Sequence, residues 1–165
     1  MNSDFDTLYA AHFDRLTLQL YAYTNDLGQA QDFVQEAYCR ALARWTRLAS
    51  YDDPVAWVRR VAWNLATSRS RQLRRHASFL RSQRERHEPE PNPDHVAITT
   101  ALAALPANHR QAVVMHYIAD MSVAEIAEQC GVADGTVKAW LSRGRTALAS
   151  ALTEQEGRSG DARHA

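Results

Sequence analysis

Apolar residues recur at helical spacing through most of the chain, and almost no segment alternates as a half-buried strand would. Ser3 with Asp6 reads as a capping box ahead of Phe5, Leu8, Tyr9, Phe13, Leu16 and Leu20. Asn25, Asp26 and Gly28 interrupt that pattern. A second stripe runs through Ala30, Val34, Ala37, Tyr38, Ala41, Leu42, Trp45 and Leu48, with Asp32, Gln35, Glu36 and Arg40 on the other face. The turn Tyr51-Asp52-Asp53-Pro54 supplies an N-cap and a proline at the first helical position. The helix it opens is expected to bury Val55, Val58, Val61, Ala62 and Leu65.

Three prolines, Pro89, Pro91 and Pro93, then fall within five positions, which disfavours helix and predicts an extended linker. The chain is therefore expected to be all-α, with a first helical domain over 1–76, a linker over 77–94, a second helical domain over 95–153 and a polar tail over 154–165. A short Ala-rich helix is expected up to Leu105. Pro106 opens the next, over 107–119, with Val113, Val114 and Tyr117 available for burial.

The most specific local pattern spans 122–152. Ser122 and Glu125 form a capping box, Ile126 and Ala127 are core positions, and Cys130-Gly131-Val132 makes a tight turn whose Gly can take positive φ. Asp134 or Thr136 can cap a longer helix over 135–152. This is the helix-turn-helix arrangement. At about 100° per residue, Val137, Leu141, Leu148 and Leu152 point inward, while Lys138, Ala139, Ser142, Arg143 and Thr146 spread outward. Arg and Lys can donate to guanine edges or phosphates, Ser serves either, and Ala can meet a thymine methyl. Trp140, at the border, is assigned to packing. A plain helical hairpin is the alternative.

Charge adds a second signal. The 165 residues carry 19 basic and 19 acidic side chains, yet the balance is uneven along the chain. Residues 1–53 hold four Arg against eight acids, whereas Arg59 to His87 holds nine Arg and one Glu. A basic block in a neutral chain points to a local polyanion contact, with a solvated helix face as the bland alternative.

Two segments of the first half, Asp32-Phe33-Val34-Gln35-Glu36-Ala37-Tyr38-Cys39-Arg40 and Trp57-Val58-Arg59-Arg60-Val61-Ala62-Trp63-Asn64-Leu65-Ala66, resemble regions 2.2 and 2.3–2.4 of bacterial sigma factors. The resemblance is to the small extracytoplasmic-function (ECF) group of the sigma-70 family. Leu105-Pro106 through Leu152 resembles region 4, including Met121 to Ala127 and Gly135-Thr136-Val137-Lys138. The resemblance covers about residues 4–75 and 95–152, in family order.

It implies that Asp32, Gln35 and Glu36 face core RNA polymerase. It also implies that the Tyr51–Asp53 loop and Asn64 capture a base flipped from the minus-ten element, for which an amide offers both donor and acceptor. Arg59, Arg60, Arg69, Arg71, Arg74 and Arg75 would follow the phosphates. Thr136, Lys138, Ala139, Ser142 and Arg143 would meet the minus-thirty-five element of promoter DNA. Trp140 and Ser142 depart from commoner basic and aromatic choices there. Relative to housekeeping sigma factors, the chain is expected to lack the extra N-terminal and central domains, and a regulatory C-terminal domain as well.

Other classes find little support. Cys39 and Cys130 stand alone, and the seven His are scattered without ligand spacing. No Gly-rich phosphate loop, nucleophile elbow or cofactor motif occurs, so neither catalysis nor a cofactor is expected. No apolar run reaches the roughly 18 residues of a membrane span, and the N-terminus has no secretory pattern, so no membrane insertion and a cytoplasmic location are expected. Two further readings stay open. One is an autonomous helix-turn-helix regulator that binds an operator without polymerase. The other is a helical interaction module that binds an anti-sigma factor, itself a possible partner in the first reading.

Overall fold

The computed structural model describes residues 3–76 and 93–161. The described residues form helices α1 (Ser3–Thr24), α2 (Leu27–Leu42), α3 (Trp45–Leu48), α4 (Pro54–His76), α5 (Pro93–Ala104), α6 (Ala107–Tyr117), α7 (Val123–Cys130) and α8 (Asp134–Asp161), with no strand among them. The chain divides into two compact units, Met1–Glu88 and Pro89–Ala165.

In the first unit α1, α2 and α4 pack against one another. Asn25 takes φ 55° to end α1, and Asp26 caps α2 by accepting from the Gln29 N–H at 3.0 Å. Gly28, expected in the break, lies inside α2's first turn. The second stripe was expected to be one helix as far as Leu48. Instead α2 ends at Leu42, and Arg44 N–H reaches back to Ala41 O (3.0 Å) before α3 begins. Trp45 and Leu48 are buried all the same. Leu42 is 51% exposed, which corrects its place in the stripe. It sits roughly 80° round from Val34, at the stripe's edge.

Rings dominate one end of this unit. Phe5 meets Trp45 edge-on at 5.2 Å, and Tyr9 meets Phe13 and Tyr38 at 4.8 Å each. Tyr38 is buried with no hydrogen-bond partner for its hydroxyl among the described residues. Burial, and secondarily the neighbouring Tyr9, push its pKa up to about 12.

Asp53 caps α4 as expected, accepting from the Ala56 N–H at 3.0 Å, with Pro54 as the first helical residue. Val58 and Ala62 are fully buried, whereas Val55, Val61 and Leu65 are only half-buried. The largest buried side chain, Trp63, was not among the expected core residues. Because α4 packs on both α1 and α2, it buries a wider arc than one stripe, and Tyr23 meets the Trp63 ring at 5.3 Å.

In the second unit α8 packs against α5, α6 and α7. α5 opens at Pro93, two residues inside the expected linker, because a proline's fixed φ suits the first helical position. The rest of that segment, with Arg81, Arg84 and Arg86, lies outside the described residues. α6 buries Ala112, Val113, Val114 and Met115, but Tyr117 is 50% exposed. Tyr117 ends the helix, and its hydroxyl accepts from Arg145 Nη1 at 3.0 Å.

α8 begins at Asp134, with the N–H groups of Thr136 and Val137 bonded back to Ala133 O, so neither expected cap stands outside it. It runs past Leu152 to Asp161, through much of the expected polar tail, where Glu154, Gln155 and Glu156 favour helix. Positions 162–165 lie outside the described residues. Gly144 lies close against α6: a methyl there would come within 2.6 Å of Val113 Cγ2.

Two outcomes test this packing. Gly144→Ala should destabilise the protein by about 1–3 kcal/mol, read as a lower denaturant midpoint, because the methyl forces Val113 aside. Tyr38→Phe should leave stability unchanged or raise it by up to about 1 kcal/mol, since it removes a buried hydroxyl without a partner. Folded Tyr38 holds its proton more tightly than the ordinary 10.0, so its contribution is complete below pH 10 and is lost as pH rises towards about 12. The Phe variant should lose less stability across that window.

Candidate nucleic-acid interface

α4 has two faces. At about 100° per residue, Arg60, Asn64, Arg71, Arg74 and Arg75 fall within roughly 100° of one another, opposite Val58 and Ala62. All five are exposed. Arg71, Arg74 and Arg75 make no ion pair among the described residues, which leaves their charges for an external anion. Arg59 and Arg69 do not join this group. Arg59 is half-buried towards the body of the unit, and Arg69 is exposed on the far side of the helix.

The loop ahead of α4 is held at both ends. Tyr51 N–H bonds to Leu48 O at 3.0 Å, and Asp53 caps the helix. Between them Tyr51 leaves 40% of its surface in solvent. Two residues not foreseen from sequence belong here: Trp57, half-buried in the first turns of α4, and Arg44, whose Cζ lies over the indole 6.0 Å from its centroid. Arg44 is distant in sequence, so only the turn at the end of α2 could have flagged it.

Asp32, Gln35 and Glu36 share the exposed face of α2, opposite buried Val34, Ala37, Tyr38 and Ala41. Gln35 Oε1 accepts from the Tyr9 hydroxyl at 3.0 Å, and Glu36 pairs with Arg40 at 2.8 Å. Both members of that ion pair are half-exposed, so it contributes only a few tenths of a kcal/mol. Leu42 and Cys39 are exposed beside them, and Leu42 adds apolar surface to an acidic face.

In the second unit the capping box is complete. Glu125 N–H donates to Ser122 Oγ at 3.1 Å, and Ser122 N–H donates to Glu125 Oε2 at 2.7 Å. Gly131 takes φ 68°, a left-handed conformation that a side chain would strain. Ile126, Ala127, Val137 and Leu141 are buried between α7 and α8, while Leu148 and Leu152 are half-buried. Lys138, Ser142, Arg143 and Thr146 are exposed along α8, with Thr136, Ala139 and Trp140 half-buried. Arg145, held by Tyr117, adds a cation near this surface that the sequence reading did not single out.

Cys130 is held by burial rather than by a metal set: its pKa is pushed up to about 11, and Gln111 Nε2 donates to its sulfur at 3.2 Å. Among the described residues no three His, Cys, Asp or Glu side chains cluster as metal ligands, and no helix is long and apolar enough to cross a membrane.

The chain matches two family models, Sigma-70 region 2 over residues 8–76 and Sigma-70, region 4 over residues 95–148. ECF RNA polymerase sigma factor SigL of Mycobacterium tuberculosis is 33% identical over 156 residues, covering 89% of this chain and 88% of the relative. The chain belongs to the ECF sigma factors of the sigma-70 family. The sigma-E factor of Streptomyces antibioticus is 31% identical over 163 residues, covering 97% of this sigma factor and 89% of the relative. Among solved structures, the sigma factor RpoE in complex with the anti-sigma factor NepR, from Bartonella quintana, superposes with a TM-score of 0.73 at 24% identity, covering 91% of this chain and 97% of that one. CnrH, solved with the cytosolic domain of CnrY, gives 0.65 at 23% identity, covering 91% and 88%. Both share the two-domain helical fold.

If the exposed arc of this sigma factor's α8 reads base edges, Arg143→Ala should weaken binding to the preferred upstream element by about 1–3 kcal/mol. Binding to DNA with a scrambled upstream element should be unchanged. Equal losses on both, measured by titration of the holoenzyme, would reduce Arg143 to a phosphate contact.

Proposed function

We propose that this sigma factor binds core RNA polymerase and directs promoter recognition, DNA melting and transcription initiation, with the work divided between its two domains. The first domain, 1–76, docks on polymerase through Asp32, Gln35 and Glu36. It takes the minus-ten DNA along α4, with Tyr51 and Asn64 at the captured base and the arginines on the phosphates. The second domain, 95–153, reads the minus-thirty-five element through Thr136, Lys138, Ala139, Ser142 and Arg143, and residues 77–94 link the two. The chain supplies recognition and no chemistry of its own, and it acts in the cytoplasm, where polymerase works. Two of the similar folds were solved with partners, one of them named as an anti-sigma factor, which supports an anti-sigma factor among the partners here.

The observation that carries this reading is α4 itself, which buries Val58 and Ala62 on one side and presents Asn64 with a row of arginines on the other. An autonomous regulator needs no such second cationic helix. Adding the protein to core polymerase with a promoter library should produce promoter-dependent transcripts. Tight operator binding without polymerase, and no transcripts with it, would overturn the proposal.

Reversing Glu36 to Arg should weaken core-polymerase binding at least about tenfold, or 1.4 kcal/mol, while helix content stays near that of the wild type. The new Arg meets Arg40 one turn on, which costs only about 0.2–0.5 kcal/mol of helix stability. Glu36→Gln, which leaves Arg40 unopposed without adding charge, should fall between the two. Normal binding by Glu36→Arg in a pull-down would move the docking face elsewhere.

A further inference from the structure

Three of the four tryptophans find partners inside the fold. Trp45 meets Phe5, Trp63 meets Tyr23, and Trp57 lies under the Arg44 guanidinium. Trp140 differs. It is half-buried on α8, and among the described residues its indole makes no ring contact, no cation contact and no hydrogen bond. Its N–H is not one of the buried polar atoms left without a partner, so it opens to solvent. The apolar body of the ring is partly packed, and its one donor is available to an acceptor outside the chain.

The place of Trp140 on α8 selects the kind of acceptor. At about 100° per residue, buried Val137, Leu141 and Gly144 define an inward line, and Ala139 and Thr146 lie nearly opposite it. Trp140 falls about 110° from that outward line on one side. Arg145 falls about as far round on the other, where its Nη1 donates to the Tyr117 hydroxyl at 3.0 Å. A helix with its side chains is about 10–12 Å across, and the major groove is about 12 Å wide. With the outward line of α8 facing the groove floor, side chains on that line reach base edges. Side chains on the two flanks meet the sugar–phosphate walls instead. An indole N–H donates and cannot accept, which suits a phosphate oxygen.

We propose that the Trp140 indole N–H grips one backbone phosphate of the minus-thirty-five duplex, on the flank of α8 away from Arg145, and so fixes how the helix is turned in the groove. This deepens, and rests on, the reading of α8 given above. The contact positions Arg143 and its neighbours over the bases and carries no sequence information of its own. A neutral donor also displaces no counterion, unlike an arginine on a phosphate. Its loss therefore weakens binding by the same factor at every salt concentration.

The test uses holoenzyme assembled from core polymerase with wild type or Trp140→Phe, which keeps a packed ring and removes the N–H. Each is titrated with a promoter over a series of salt concentrations, and then with promoters carrying one uncharged methylphosphonate at a time along both strands of the minus-thirty-five element. Thermal unfolding and core-polymerase affinity are measured alongside. Trp140→Phe should match the wild type in core affinity and in salt slope, but bind the promoter about five- to tenfold more weakly. One methylphosphonate position should cost the wild type a similar factor and cost Trp140→Phe nothing further. Reduced stability of the variant does not affect that comparison, because it is made between templates with the same protein.

Wild-type promoter affinity in Trp140→Phe would overturn the proposal and leave the indole a packing residue. So would losses that multiply with the methylphosphonate at every position. A loss that vanishes when one base pair is changed, with no phosphate position showing it, would also overturn it and make Trp140 a base reader. A wild-type holoenzyme whose binding ignores the minus-thirty-five sequence would fail separately, by removing the placement of α8 on DNA.

Discussion

Everything in the first unit depends on seating α4 against α1 and α2. Val58, Ala62, Trp63 and Ala66 leave solvent together, and the Trp63 ring packs on Tyr23. Removing a buried ring of that size typically costs about 3–5 kcal/mol, whereas an exposed ion pair contributes about 0–1 kcal/mol. Apolar burial therefore decides which way the helix is turned, and the arginines take the remaining arc. The same rotation that buries Trp63 presents Asn64 to solvent, because adjacent residues of a helix lie about 100° apart.

That seating also keeps strongly charged faces apart in a chain of zero net charge. Opposite charges are kept on different elements: the acids of α2 face out from one helix and the arginines of α4 from another. Fields near such surfaces are local, and at physiological salt they decay within about 8 Å. One helix presents cations to solvent while its neighbour presents carboxylates. Whole-chain charge carries no information about either.

The second unit relies on backbone devices more than on large rings. Ser122 and Glu125 satisfy the first N–H groups of α7, Gly131 turns the chain with φ 68°, and Gly144 lets α6 and α8 approach closely. These set the geometry between α7 and the much longer α8, whose joint core is small: Ile126, Ala127, Val137 and Leu141. The exposed row on α8 is positioned by that core. Arg145 gains a fixed orientation from the Tyr117 hydroxyl, a contact spanning two helices.

Local patterns were legible wherever local physics settles them. The helical period, the Asp53 cap with Pro54, the Ser122–Glu125 box, the left-handed Gly131 and the outward arc of α8 all depend on residues within one or two turns, so the amino-acid sequence by itself determined them, as it did the family. Tertiary structure decided what depends on neighbours far along the chain. It broke the second helix after Leu42 and started α3 at Trp45, so that Trp45 and Leu48 are buried off the line of α2. It exposed Leu42 and Tyr117 and buried Trp63, because the width of a buried arc is set by how many helices press on it. It gathered Arg60, Asn64, Arg71, Arg74 and Arg75 while leaving Arg59 and Arg69 aside, and it laid Arg44 over Trp57. A run of arginines states how much charge there is. The direction each one points is fixed only when the opposite face of its helix has found something to pack against.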